Sequence, residues 1–143
     1  THSTFANYWS NGLRQLPTVL VNNFYSYTDE NNQEVIVTSD LHAANFTNCI
    51  ITGNNNVDFV LDKVDGSVFN YNISHSMIQF NDVNNAFANN IVLDFSDTNH
   101  YQNIILNGTY HFKDPFTNQF STGQNHTGIN KAFTRTKIKV ACM

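Results

Sequence analysis

Asn45-Phe46-Thr47-Asn48-Cys49-Ile50-Ile51 is the stretch on which the fold turns. Shifted by 27 residues it falls on Asn72-Ile73-Ser74-His75-Ser76-Met77-Ile78, and shifted again on Asn99-His100-Tyr101-Gln102-Asn103-Ile104-Ile105. The leading Asn and the closing apolar pair coincide in all three. A fixed spacing of this size is about one rung of a parallel β-helix, where each coil supplies short strands and Asn side chains stacked at the bends form hydrogen-bonded ladders. The repeat fades at Thr18 and at His126, however, and a chain rich in Asn and aliphatic pairs generates such matches by composition alone. The first expectation is therefore an all-β antiparallel sandwich, jelly-roll-like, or a barrel. A short parallel β-helix with rungs of about 27 residues is the alternative.

Outward from that stretch, β patterning persists. Thr18 to Val21, Phe24 to Thr28 and Glu34 to Thr38 read as strands, the last two joined through the polar turn Asp29-Glu30-Asn31-Asn32 as a hairpin. Asp58 to Val64, Ser67 to Ile73, Met77 to Phe80, Ile91 to Phe95, Asn103 to Phe112 and Phe133 to Cys142 continue the series. Asn accounts for 24 of the 143 residues, and it is the non-Gly residue that best tolerates left-handed backbone, so it suits tight corners between strands. Helical periodicity never lasts three turns. Only Leu13 to Leu16, ended by Pro17, reads as a single helical turn. The chain is one domain over 1–143, with 1–17 as an N-terminal arm or cap and 113–130 as a long polar loop.

Composition narrows the function classes. Charged residues are 13% and the formal net charge is −4, which argues against nucleic acid, whose phosphates require a basic surface. No apolar run approaches the roughly 18 residues needed to span a bilayer, so no membrane insertion is expected. The first residue is Thr1, and an upstream leader, propeptide or domain is expected to have been removed. Sequons at Asn45, Asn72, Asn107 and Asn125 are candidate glycosylation sites, although this composition yields about four by chance. Cys49 and Cys142 allow one disulfide, worth about 4 kcal/mol on the chain-entropy model, or two buried thiols.

Motif-borne chemistry has no foothold: there is no nucleophile elbow, phosphate loop, H-E-x-x-H or C-x-x-C. With two Glu, both near the hairpin turn, a glycosidase pair would have to come from Asp58, Asp62, Asp65 or Asp94. Asp40 and His42 share a strand face. His75 and His100 flank the repeat, and on a solenoid they would occupy adjoining rungs. No metal or cofactor is expected. Aromatic residues beside amides suit a polar ligand with an apolar face, and Tyr8, Trp9, Tyr71 and Tyr101 are the candidate ligand contacts. At the C-terminus Lys131, Arg135, Lys137 and Lys139 hold four of the seven basic residues, as an edge guard against aggregation or a patch for an acidic partner.

The sequence thus predicts a non-catalytic binding or adhesion domain at an extracellular, cell or virion surface, with a glycan or protein surface as partner. A self-associating structural subunit of a filament, coat or fibre is the first alternative. A small polysaccharide-active enzyme on a β-helix is the second, and requires Asp and His residues to converge in one groove.

Overall fold

A computed structural model describes residues 2–117 and 119–122. The chain is nearly all β, built from several small sheets with no closed barrel among the described residues. Its largest sheet has the order β1-β6-β9-β11, formed by β1 (Ser3–Asn7), β6 (Cys49–Gly53), β9 (Met77–Ile78) and β11 (Ile105–Leu106). All three of its pairings are parallel, with Ser3 beside Cys49, Ile50 beside Met77 and Met77 beside Ile105. A second sheet joins β5 (Leu41–Thr47), β8 (Phe69–Ser74) and β10 (Tyr101–Gln102), again parallel, aligning Phe46, Ile73 and Tyr101. A third pairs β2 (Val19–Asn22) with β7 (Phe59–Asp62), also parallel.

In chain order the backbone visits the first, third and second sheets in turn, then returns to the first one strand further along. Each circuit after the first takes 27 or 28 residues, as the partners Phe46, Ile73 and Tyr101 show. The 27-residue repeat predicts the parallel pairing of Phe46 with Ile73 and of Ile50 with Met77; at the next circuit Tyr101 and Ile105 take the places it assigns to His100 and Ile104, one residue later. Among the described residues the antiparallel arrangement expected first holds in two hairpins, β3 (Phe24–Thr28) with β4 (Glu34–Thr38) and β12 (Phe112–Asp114) with β13 (Gln119–Thr122), and in one isolated bridge between Val57 and Phe80. The physical reason is local: alternation of apolar and polar residues has the same period in both kinds of sheet, so strand direction is decided by the corners.

Those corners explain the asparagines. Asn48, His75 and Asn103 each follow a strand of the second sheet, and each has left-handed backbone, with φ of 56°, 51° and 54°. An L-residue there costs roughly 1–2 kcal/mol unless its side chain compensates by local bonding, as Asn does. The corner amides stay in the ladder: Asn48 N–H donates to Ser74 O (3.1 Å) and His75 N–H to Gln102 O (2.7 Å). The side chains also link in pairs along the coil, with Asn48 Nδ2 3.1 Å from His2 Nε2 and Asn103 Nδ2 3.0 Å from His75 Nε2. Buried Asn23 acts as a backbone substitute between circuits. Its amide donates to Val64 O (2.8 Å) and its oxygen accepts from Val64 N–H (2.9 Å).

Inside the coil, alternate residues of the strands point inward: Cys49 and Ile51 from β6, Phe59 and Leu61 from β7, Ile73 from β8. Aromatic edges fill the remaining space, Phe46 against Phe59 at 5.7 Å and Phe95 against Tyr101 at 4.7 Å. At the third circuit the third sheet gains no strand. The expected strand at Ile91 to Phe95 is instead a 3-10 turn, Ile91–Leu93, capped by Asn90, whose side chain donates to the open edge of β7 at Leu61 O (2.8 Å). Buried Val92 and Leu93 then cover the core where a strand would have done so.

Four further readings change. Residues 3–7, expected within an arm or cap, form a ladder strand. Leu13 to Leu16 is not helical. The expected strand from Asn103 to Phe112 is broken into β11 and the start of β12. Residues 113–117 and 119–122, expected as loop, belong to a hairpin interrupted by a 3-10 turn at Pro115–Thr117. The hairpin predicted across Asp29 to Asn32 is present. Asp29 Oδ1 accepts from Asn31 N–H (2.8 Å) and Gln33 N–H (2.9 Å), and Asn32 takes a φ of 58°. The Phe133 to Cys142 stretch lies outside the described residues.

Candidate ligand grooves

Tyr8 and Trp9 continue directly from β1 into a loop tied to the turn after β6, where Asn54 and Asn55 donate to Trp9 O and Leu16 O. The Tyr8 hydroxyl is 3.3 Å from Thr52 Oγ1, and its ring meets Phe112 edge-on at 6.2 Å and stacks on Phe120 at 6.4 Å. Trp9 is 53% exposed. Its backbone is held at both ends: Trp9 N–H donates to Asn7 Oδ1 (3.2 Å), and Asn54 Nδ2 donates to Trp9 O (3.3 Å). The indole lies over Gly12, where a Cβ would come within 2.8 Å of Cη2, so only glycine admits this ring position. Beside the indole is a groove of about 420 Å³ with no charged side chain among the described residues that line it; Tyr8, Trp9, Asn7, Asn11, Pro115 and Phe120 form most of that lining.

What fixes this loop is an ion pair 44 residues apart in sequence. The Arg14 guanidinium and the Asp58 carboxylate form a charge-assisted contact, with Asp58 wholly buried and Arg14 nearly so. Arg14 Nη1 also donates to Asn7 O (2.8 Å), while Asp58 Oδ1 accepts from Thr18 N–H (3.1 Å) and the Thr18 hydroxyl (2.8 Å). One guanidinium thus joins the end of β1, the loop and the start of β7. Asp58 is accordingly a structural anchor rather than an acid–base group open to a substrate.

Of the other candidate contacts, Tyr101 is 3% exposed and its hydroxyl donates to Val92 O, so it belongs to the core. Burial, foremost, pushes its phenol well above the usual tyrosine range. Tyr71 is half-buried and stacks on the His100 imidazole at 4.4 Å. Desolvation raises its phenol, helped by the Asp97 charge. His100 in turn donates from Nδ1 to Asp97 Oδ2 (2.7 Å), and that bond is the main cause holding the Asp97 carboxyl below its ordinary value. His75 and His100 therefore hold different partners, one at a corner and one in a loop. Asp40 is spent on Val68 N–H (2.8 Å), and His42 is exposed. The structure brings Tyr8 and Trp9 together and leaves the Tyr71 and Tyr101 pair elsewhere.

A larger cavity, about 610 Å³, was not legible in the sequence. It lies where residues 80–95 leave the repeat, and is lined by Phe80, Phe87, Phe95, Asn89, Asn90 and Asp94 among others. The signal that could have located it is the density of Asn and Phe where the period lapses. Its carboxylates are engaged in turns. Asp82 accepts Ala86 N–H (2.9 Å) and Phe87 N–H (2.8 Å), and Asp94 accepts from Ser96 N–H (2.9 Å) and its hydroxyl (2.5 Å), which keeps the Asp94 carboxyl below its usual value.

Cys49 is buried, with its thiol against Thr47 O (3.6 Å), and desolvation pushes its pKa up. Its proposed disulfide partner Cys142 and the sequon at Asn125 lie outside the described residues. Among the other sequons, Asn45 is exposed on β5, Asn72 is half-buried with Nδ2 3.5 Å from Asn99 O, and Asn107 is committed to the fold. The Asn107 amide donates to Phe80 O (2.7 Å) and accepts from Phe80 N–H (2.8 Å). Comparison with protein-family models, with curated proteins and with solved structures finds no match.

Proposed function

We propose that this chain is a short parallel β-helix acting as a non-catalytic binding domain at an extracellular, cell or virion surface, with a neutral glycan held in the Tyr8–Trp9 groove. The observation that carries the reading is a half-exposed indole lying over Gly12, beside a groove whose described lining is amides and rings without a formal charge. A sugar presents apolar C–H faces and a rim of hydroxyls, so it needs a flat ring for the first and amide donors and acceptors for the second. Charged ligands would find no counter-charge among the described residues of this lining. Of the four carboxylates named for a polysaccharide-active enzyme, two are engaged elsewhere, Asp58 by Arg14 and Asp94 by Ser96, and Asp65 pairs with Lys63, which disfavours that reading.

Trp9 is the single tryptophan of the chain, so its fluorescence reports the groove directly. Titration with a panel of neutral oligosaccharides is expected to shift the Trp9 emission saturably for at least one member. The same ligand should then fail to bind Trp9→Ala by calorimetry. A panel that leaves the emission unchanged, or a ligand that binds Trp9→Ala as well as wild type, would sink this assignment.

A further inference from the structure

We infer that the cleft of about 610 Å³ beside the third circuit is a second ligand site, and that it takes an organic cation, an alkylammonium or a guanidinium, between the rings of Phe80, Phe87 and Phe95 and the carboxylates of Asp82 and Asp94. The cleft lies where the third sheet gives up a strand. Asn72 and Asn99 keep the 27-residue spacing, so residues 80–95 do not lengthen the circuit; they replace ladder with turns. Among the described residues β7 gains no third-circuit strand, and Asn90 bridges to it at Leu61 O (2.8 Å).

The walls of the cleft are of two kinds. Phe80 has Phe95 at 4.9 Å and Phe87 at 5.9 Å, with interplanar angles of 63° and 56°, so the three rings do not close into a parallel stack that would hide their faces. None of the three is fully buried. The face of such a ring attracts a cation held within about 6 Å of its centroid. Asp82 and Asp94 add formal negative charge. Both accept from neutral donors, Asp82 from the N–H groups of Ala86 and Phe87 and Asp94 from the N–H and hydroxyl of Ser96. No described Lys, Arg or His pairs with either. A carboxylate offers about four lone-pair sites, so each retains acceptor capacity as well as its charge. The Ser96 bonds hold the Asp94 carboxyl below its ordinary value and so keep it ionised at neutral pH.

The class of ligand follows from what would match both walls. The described lining holds no Lys, Arg or His, and the chain has no Lys or Arg between Lys63 and Lys113. A neutral ligand would meet the rings and leave both carboxylates without a counter-charge. A bare metal ion would leave the rings unused, and no group of three or more His, Cys, Asp or Glu is placed to hold one among the described residues. An organic cation satisfies both, with its charge toward the carboxylates and its C–H groups or guanidinium plane against the rings. The cleft is also preformed: the bonds that engage Asp82 fix the backbone of Phe87, and Asn90 caps the turn that carries Ile91 and Leu93. Little ordering therefore accompanies binding. This inference goes beyond the glycan reading and does not depend on it.

The test is titration of the full chain, followed by calorimetry and by the NMR shifts of its backbone amides. The probes are choline, its uncharged tert-butyl analogue with carbon in place of nitrogen, and the N-acetyl amides of lysine and arginine. At least one of the three cations is expected to bind and to shift amides within residues 80–96, with the uncharged analogue weaker than choline by about threefold or more. Tighter binding of choline marks a free ammonium compound as the ligand, and tighter binding of the amides marks a basic side chain of a polypeptide; both uphold the site. Raising the ionic strength from about 0.01 M to about 0.15 M shortens the Debye length from about 30 Å to about 8 Å, so it should weaken the cation and leave the uncharged analogue unchanged. Asp94→Asn, at an exposed position and with an acceptor kept for the Ser96 turn, and Phe87→Leu should each weaken the cation about threefold to tenfold. Circular dichroism checks that both fold, and Asp94→Asn decides by itself if Phe87→Leu does not. Failure of all three cations to bind, an uncharged analogue that binds as tightly, or an Asp94→Asn variant that binds as well as wild type overturns the inference. A cation that moves the Trp9 emission in place of these amides also overturns it, since Trp9 lines the other groove, and the glycan titration there stands or falls separately.

Discussion

Replacing Asp58 by Ala removes the anion from a site where its carboxylate is wholly buried and Arg14 is nearly so. The loss is not that of a surface ion pair. The guanidinium would remain enclosed without a counter-charge, and Thr18 N–H would lose its acceptor. Removing one partner of a buried pair costs about 3–5 kcal/mol. With a urea m-value of about 2 kcal/mol/M for a small domain, the unfolding midpoint should fall by roughly 2 M. Arg14→Ala should cost a similar amount, and the double variant should lose much less than the sum, since neither charge is then stranded. Lys63→Ala is the control: its partner Asp65 is 93% exposed, so the change should stay under about 1 kcal/mol. Urea unfolding followed by circular dichroism measures all four. Single variants within about 1 kcal/mol of wild type, or strictly additive losses, would refute the claim that this pair is a buried anchor. Because Arg14 also bonds Asn7 O, Arg14→Ala should broaden the Trp9 emission even where the coil survives.

Three further outcomes are expected. Burial raises the Tyr101 and Tyr110 phenols above the ordinary value of 10.0; their contribution to stability should be intact below that pH and decline above it, as the unfolded chain ionises first. Spectrophotometric titration should show these two tyrosines ionising only with unfolding. Asn48→Ala and Asn103→Ala should each cost about 1–2 kcal/mol, with Gly at either position recovering most of it, because the strain is that of left-handed backbone; thermal melts of the two series would decide. Expressed through a secretory pathway, the chain should carry N-glycan at Asn45 and not at Asn107, whose amide clasps Phe80, and glycopeptide mass spectrometry reads both sites.

The repeat at Asn45, Asn72 and Asn99 was legible because the coil returns every 27 or 28 residues, although Asn45 and Asn72 lie in strands and the corners fall at Asn48, His75 and Asn103; the hairpin was legible because Asp29 and Asn32 carry their own turn chemistry. Strand direction was not, since alternation along Cys49 to Gly53 reads the same whether the neighbour runs parallel or antiparallel. Ile91-Val92-Leu93 misled for a different reason: an apolar triplet signals burial, and the Asn90 cap decides that burial here is by a 3-10 turn. Of the candidate ligand contacts, Tyr8 and Trp9 share a groove, whereas Tyr101 faces the core through pairing with Ile73 that no local pattern reveals. Arg14 and Asp58 meet only because the coil returns to the same place one circuit later.

The hairpin β3–β4 leaves the coil and comes back at a single point, since Ser39 N–H donates to Asn23 O (2.8 Å) across its base. Its two strands contact chiefly each other, so its length is decoupled from the circuit it interrupts. Residues could be added at the Asp29 to Gln33 tip, or the whole ribbon trimmed to a short link from Asn23 to Ser39, while the ladders above keep their alignment. Variation of this lineage, and grafting of a foreign peptide for display, would both be tolerated there first.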